Sequence, residues 1–142
     1  MLIGDKKMLR YILVSLSSGV LFGIMDGIIN ANPVAQRLYS VFEPIARKSI
    51  NVAAGIVIDI VYGFAMAGIF LFLHKSLPGE SGLIKGLAFG ILIWFFRVFM
   101  QAASQWMMYN ISVKTLIYSL TCGLFEMLVL GLLYGLTLRS TA

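Results

Sequence analysis

The stretch that decides the fold is VAAGIVIDIVYGFAMAGIFLFL, residues 52–73, in which Asp59 is the only charged residue. A helix of this length rises about 33 Å at about 1.5 Å per residue, enough to cross the hydrocarbon core of a bilayer. Inside that core no water can satisfy backbone N–H and C=O groups, so an apolar stretch of this length has to form a helix. The stretch therefore predicts a membrane-spanning helix.

Three further stretches of the same character lie on either side of it. The predicted spans cover residues 11–29, 52–73, 83–107 and 116–138. With short connections they take up nearly all of the 142 residues. We therefore predict an all-α, polytopic membrane protein in which residues 1–142 form a single bundle of four transmembrane helices, without a separate soluble domain.

The composition points to the same class of protein. Hydrophobic residues make up 60% of the chain and charged residues 12%, and the mean hydropathy is +0.94. A soluble domain carries about 25% charged residues. The net charge is +5, and the basic residues other than Arg97 lie at the ends of the spans or between them, so we expect them to face anionic lipid headgroups. Membrane lipids are therefore expected partners, and nucleic acid is not.

The distribution of basic residues predicts an orientation. Four spans place both termini on one side of the membrane, side A, and the connection between the first two spans on the other, side B. Side A holds Lys6, Lys7, Arg10, Lys75, Lys85 and Arg139, whereas side B holds Arg37, Arg47, Lys48 and Lys114. The excess on side A predicts cytoplasmic termini. The orientation reverses if the side-B connection is the cytoplasmic anchor.

The side-B connection has an amphipathic pattern over residues 34–48. Apolar residues fall at helical spacing on one side, namely Val34, Leu38, Val41, Phe42 and Ile45. This spacing predicts a short helix that lies in the membrane interface. The alternative is an ordinary loop helix that packs on the bundle.

An internal similarity suggests that the chain is a tandem repeat of two helical hairpins. Gly19-x-x-Phe22-Gly23-Ile24 matches Gly86-x-x-Phe89-Gly90-Ile91 at an offset of 67 residues, and Asp59 and Glu126 correspond at the same offset. Apolar spans also resemble one another by composition, so that a chance match is the competing explanation.

Ionisable residues inside the spans are the candidates for function. Each costs about 2.5–3.5 kcal/mol at the centre of a membrane helix, so such residues usually face the bundle interior or a wet cavity. Small and polar residues share one face of each helix; on the third span this face is Gly86, Gly90, Trp94, Arg97, Gln101 and Ser104. The predicted intramembrane polar pathway consists of Asp26, Asp59, Tyr62, Arg97, Gln101 and Glu126.

Depth in the membrane sorts these residues. Arg97 and Glu126 lie at similar depth, where they can meet as an ion pair. Asp26 and Asp59 have no cationic partner at their own depth, so we expect them to be protonated or hydrated in a vestibule open to side B. The structural alternative is that Arg97 and Glu126 fix the helix register and that Asp26 sits at the interface beside Asn30.

Two hypotheses for function follow. The sequence has no nucleophile–base pair, no metal-ligand spacing and no phosphate-binding loop, so we expect neither an enzyme nor a cofactor or metal site. The first hypothesis is an oligomeric, cation- or proton-linked transporter or channel that uses the buried acids. The second is a non-catalytic accessory or assembly subunit, docked through glycine-lined helix faces to other membrane subunits.

Overall fold

The structure, a computed structural model, describes residues 2–138. Its α-helices are α1 (Leu2–Ala31), α2 (Pro33–Leu38), α3 (Val52–Leu73), α4 (Gly82–Trp94), α5 (Met100–Met108) and α6 (Val113–Thr137). Short 3-10 turns cover Tyr39–Ile45 and His74–Ser76, and a π-helical turn, Phe95–Phe99, joins α4 to α5. The described part of the chain contains no strand.

The prediction of an all-α protein with four membrane-spanning helices is confirmed. Helices long and apolar enough to cross a membrane are Gly4–Ala31, Val52–Ser76, Gly82–Met108 and Val113–Thr137. The first begins earlier than predicted because its basic first turns continue the same helix, and long Lys and Arg side chains can reach the headgroups from there. Arg139, which was assigned to side A, lies outside the described residues, and the orientation stays a prediction.

The four spans form two antiparallel hairpins. In one, α1 packs along α3, and in the other, α4 packs along α6; α1 and α6 then join the hairpins. The half of the bundle nearer side A holds a core of fully buried side chains, Phe70, Phe89, Met127, Leu130 and Tyr134. The interior is therefore filled on side A.

Close backbone contact at glycine holds each hairpin together. A Cβ atom on Gly19 would lie 2.8 Å from the Asp59 carbonyl oxygen, and one on Gly90 would lie 2.7 Å from the Met127 carbonyl oxygen. Such approach of two helices is possible only where side chains are absent. Gly86 likewise faces Gly131 across the second hairpin. The tandem repeat itself stays a prediction.

The π turn at Phe95–Phe99 is the main departure from the predicted helix faces. A π turn inserts one residue into the helical ladder and so rotates the following helix by about 100°. As a result Val98 and Ala102 are buried, whereas Ser104 is exposed and donates to the Met100 carbonyl at 3.0 Å. The prediction that Ser104 shares the polar face is therefore wrong.

The side-B connection is helical in two short pieces rather than in one helix over residues 34–48. After α2, the chain tightens into the 3-10 turn, and residues 46–51 form no helix. Pro44, inside the turn, has no N–H to continue an α-helical ladder. Thr115 Oγ1 donates to the Leu38 carbonyl at 2.9 Å, while Ile45 is 81% exposed. The connection thus packs on α6 and also presents an apolar side chain outward.

Asn32 fixes this connection, and its replacement by alanine is expected to lower stability by about 1–2 kcal/mol. Its Oδ1 atom accepts from the Ala35 N–H at 2.9 Å, and its Nδ2 atom donates to the Tyr118 hydroxyl at 2.8 Å. Thermal unfolding in detergent measures the loss. The matched control is Asn51→Ala, because Asn51 caps α3 through the Ala54 N–H in the same way. An equal loss in both variants would show that the hydrogen bond from Asn32 to Tyr118 of α6 contributes nothing to stability.

Candidate functional site

A polar cavity of about 270 Å³ occupies the side-B half of the bundle. We term it the side-B cavity. It lies between the end of α1, the 3-10 turn, the π turn with α5, and the first half of α6. Its walls are Asp26, Ile29, Asn30, Tyr39, Phe42, Arg97, Val98, Gln101, Ala102, Gln105, Ser119, Cys122, Gly123 and Glu126.

Glu126 lines the inner end of this cavity. The side chain is only 3% exposed, and its Oε1 atom has no hydrogen-bond partner among residues 2–138. Met127 and Leu130, beside it on α6, are fully buried. A buried polar atom without a partner costs about 1–3 kcal/mol, and more when it is charged. This carboxyl group therefore needs water, a proton or a cation from the cavity.

Arg97 lies in the π turn, and its side chain lines the side-B cavity. Its guanidinium carbon lies 4.8 Å from the centre of the Phe22 ring and 5.1 Å from that of the Tyr62 ring. These two rings are themselves stacked at 4.8 Å. A desolvated cation–π contact contributes about 2 kcal/mol, so the aromatic pair can hold the charge in place. Arg97 and Glu126 thus share the cavity, but the Glu126 Oε1 atom forms no hydrogen bond with Arg97 or with any other described residue.

Asp26 lies nearer the mouth. Its Oδ1 atom accepts a hydrogen bond from Asn30 Nδ2 at 3.1 Å, one turn further along α1. Gln101 lines the same cavity from α5 and is exposed. The structure therefore brings together four of the six residues in the predicted pathway: Asp26, Arg97, Gln101 and Glu126.

The other two predicted residues lie outside the cavity lining. Tyr62 packs behind Arg97 and acts as part of its aromatic support. Asp59 lies in an outer groove between α1 and α3, close against Gly23, where a Cβ atom would approach its Oδ2 atom to 2.7 Å. Asp26 lines both the groove and the cavity. Asp59 was predicted to lie with Asp26 in a vestibule open to side B. In the structure it lies instead on the outer face of α1 and α3.

Sequence reasoning missed several residues of the site. Cys122 lies four residues before Glu126, so helical spacing along α6 is a signal that could have found it. Gln105 lies four residues after Gln101 and carries the same signal, whereas Tyr39 had none, because its position depends on the 3-10 turn. Burial raises the pKa of the Tyr39 phenol, which therefore stays a neutral hydrogen-bond donor at neutral pH.

The charge of the lining favours positive ligands. Two acids, Asp26 and Glu126, and one base, Arg97, line the cavity. Its formal charge is therefore −1 when all three are ionised, and one proton or one monovalent cation balances it. In the described part of the chain, no cluster of three or more His, Cys, Asp or Glu side chains is placed to hold a metal ion.

A family model matches residues 13–142, a region that contains every residue of the cavity. The chain belongs to the DUF6789 family. DUF6789 is a family of unknown function, so membership in it assigns no activity to the residues of the cavity. No curated protein and no solved structure matches the chain. In this DUF6789 protein, Lys6 and Arg10 precede the matched region.

Proposed function

We propose that this DUF6789 protein is a cation- or proton-linked permeation protein in which Glu126 accepts the ion. The observation that carries the proposal is the buried Glu126 carboxyl group at the inner end of a polar cavity, whose Oε1 atom has no hydrogen-bond partner in the described part of the chain. Ionisable residues are costly inside a membrane and usually mark ion or proton pathways. No step of this function requires catalysis.

The charges of the cavity set the class of ion. Arg97 is permanently charged and fixed by aromatic rings, so it opposes the entry of a second positive charge. With both acids ionised, a monovalent cation or a proton makes the lining neutral, whereas a divalent cation leaves it with an excess charge of +1. The proposed substrate class is therefore a proton or a small monovalent cation.

The side-A half of the bundle is closed to an ion that has reached Glu126. Fully buried Met127, Leu130 and Tyr134 follow it along α6, and Phe70 and Phe89 pack against this row. A single chain in this conformation is thus a vestibule and not a continuous pore. Transport requires either a second conformation or a pathway completed by another copy, and we propose a homo-oligomer.

The second candidate function is that of a non-catalytic accessory subunit. The outer groove that contains Asp59 supports it, because Cβ atoms on Gly27 and Gly55 would meet nothing within 4 Å. A helix of another subunit fits such an open glycine face. Native mass spectrometry of the chain from its own membrane separates the candidates: a homo-oligomer favours permeation, and a defined hetero-complex favours the accessory role.

Cys122 provides an internal probe of the vestibule. It is the only cysteine in the chain and lies one helical turn from Glu126 in the cavity lining. A cationic, membrane-impermeant methanethiosulfonate is expected to label it only when added on side B, which right-side-out and inverted vesicles distinguish. The matched control is Leu130→Cys in a Cys122→Ser background, because Leu130 lies two turns deeper and is fully buried; it should not react.

The same probe tests the charge of Glu126. In Glu126→Gln, labelling by the cationic reagent is expected to slow by about five-fold relative to a neutral one, as one nearby charge is worth about 1 kcal/mol in a wet site. A Cys122 thiol that stays inert from both sides in the folded protein would contradict a hydrated vestibule.

A further inference from the structure

A second groove lies at the opposite end of the molecule from the side-B cavity. It has a volume of about 590 Å³ and runs between the first turns of α1 and the last turn of α6. Its walls are Lys6, Leu9, Arg10, Leu13, Val14, Leu136 and Thr137. We term it the side-A groove. Nothing in the proposed permeation function uses it.

The charges and the apolar walls of this groove occupy different depths. Lys6 and Arg10 lie one turn apart on one face of α1, at the end of the span. Leu13 follows on the same face, about 10 Å deeper than Lys6 at about 1.5 Å per residue. Leu9, Leu13 and Leu136 are 57%, 54% and 66% exposed, so the groove opens sideways toward lipid.

We propose that the side-A groove binds one anionic phospholipid, with its phosphate against Lys6 and Arg10 and an acyl chain along the leucine wall. Two adjacent cations at headgroup level attract a phosphate group, and basic pockets between transmembrane helices are known to select anionic headgroups. The leucines supply an apolar wall that a free phosphate ion would not contact. The occupant therefore carries both a phosphate and an acyl chain.

The groove also joins the two hairpins of the fold. Its first wall belongs to α1 of the first hairpin and its second wall to α6 of the second. A lipid seated there contacts both hairpins and stabilises their association. Because anionic lipids are enriched in the cytoplasmic leaflet, this site agrees with cytoplasmic termini.

The test compares the full chain in bicelles of phosphatidylcholine alone and of phosphatidylcholine with phosphatidylglycerol. The wild type is expected to unfold at a higher temperature with phosphatidylglycerol, and native mass spectrometry should retain one phosphatidylglycerol. In the double variant Lys6→Gln/Arg10→Gln, the preference for phosphatidylglycerol should fall about 25-fold, since each basic residue contributes about five-fold. Lys7→Gln/Lys75→Gln is the matched control, as it removes the same charge from side A without touching the groove.

A second variant keeps the test decisive if the double variant inserts poorly. Leu136→Trp fills the apolar part of the groove and leaves both cations in place, so it should also displace the retained lipid. Equal loss in the control pair would overturn the proposal, because the effect would then be one of diffuse surface charge. Equal stabilisation by inorganic phosphate would overturn it too, because the ligand would then need no acyl chain.

Discussion

Glu126→Gln is expected to reduce ion flux in proteoliposomes to the protein-free baseline while the protein stays folded. The substitution keeps the volume of the side chain and removes the group that ionises at the inner end of the side-B cavity. Flux is followed with a pH-sensitive dye inside the vesicles, under an imposed proton or monovalent cation gradient. The matched control is Glu80→Gln, because Glu80 lies in an exposed turn outside the cavity and its loss should leave flux unchanged.

A second substitution at Glu126 is expected to increase the stability of the protein, although it removes the same ionisable group. Glu126→Leu removes a buried carboxyl group whose Oε1 atom has no hydrogen-bond partner among residues 2–138, and is expected to raise the free energy of unfolding by about 1–3 kcal/mol. A side chain that lowers the stability of the fold but is required for ion flux has a functional rather than a structural role. If Glu126→Leu instead destabilised the protein and Glu126→Gln kept its flux, Glu126 would be a packing residue and the proposed role would fail.

A large loss of stability is expected from substitution of Gly131. A Cβ atom there would lie 3.0 Å from the Gly90 backbone nitrogen and would also meet the Gly86 carbonyl oxygen, so no flexible side chain can move aside. Gly131→Val must therefore push α4 and α6 apart, at a cost of about 3 kcal/mol. Thermal unfolding in detergent is the measurement.

Gly55→Val is the control for this substitution. Gly55 is also a helical glycine within a span, but a Cβ atom on it would meet nothing within 4 Å. We expect a change within about 0.5 kcal/mol. Similar losses in both variants would mean that valine in a membrane helix, rather than contact between α4 and α6, sets the cost.

The spans were predictable because a helix is the only conformation in which a single apolar stretch can cross the hydrocarbon core. An apolar stretch such as residues 52–73 has to satisfy its own backbone hydrogen bonds, so length and hydropathy are enough to locate it. The glycines of the hairpin contacts could also be assigned to packing faces from their spacing. Which glycine meets which backbone atom depends on the register between two helices, and no single helix contains that information.

The candidate site was predictable in part for a similar reason. Glu126 and Arg97 stand out because charge is costly in a span, and the structure places both in one cavity. The aromatic contacts of Arg97 could not be foreseen, because Phe22 and Tyr62 come from the other hairpin. The π turn could not be foreseen either, and it decides that Gln105, rather than Ser104, faces the cavity.

The most direct test of ion permeation is a flux measurement on the purified wild-type chain alone in liposomes. Labelling of Cys122 from one side shows beforehand that the protein is folded and that its vestibule is wet. We expect flux of protons or a monovalent cation above the protein-free level, and we expect Glu126→Gln to abolish it. A folded, correctly labelled wild-type chain that carries no such flux would contradict ion permeation and favour the accessory role.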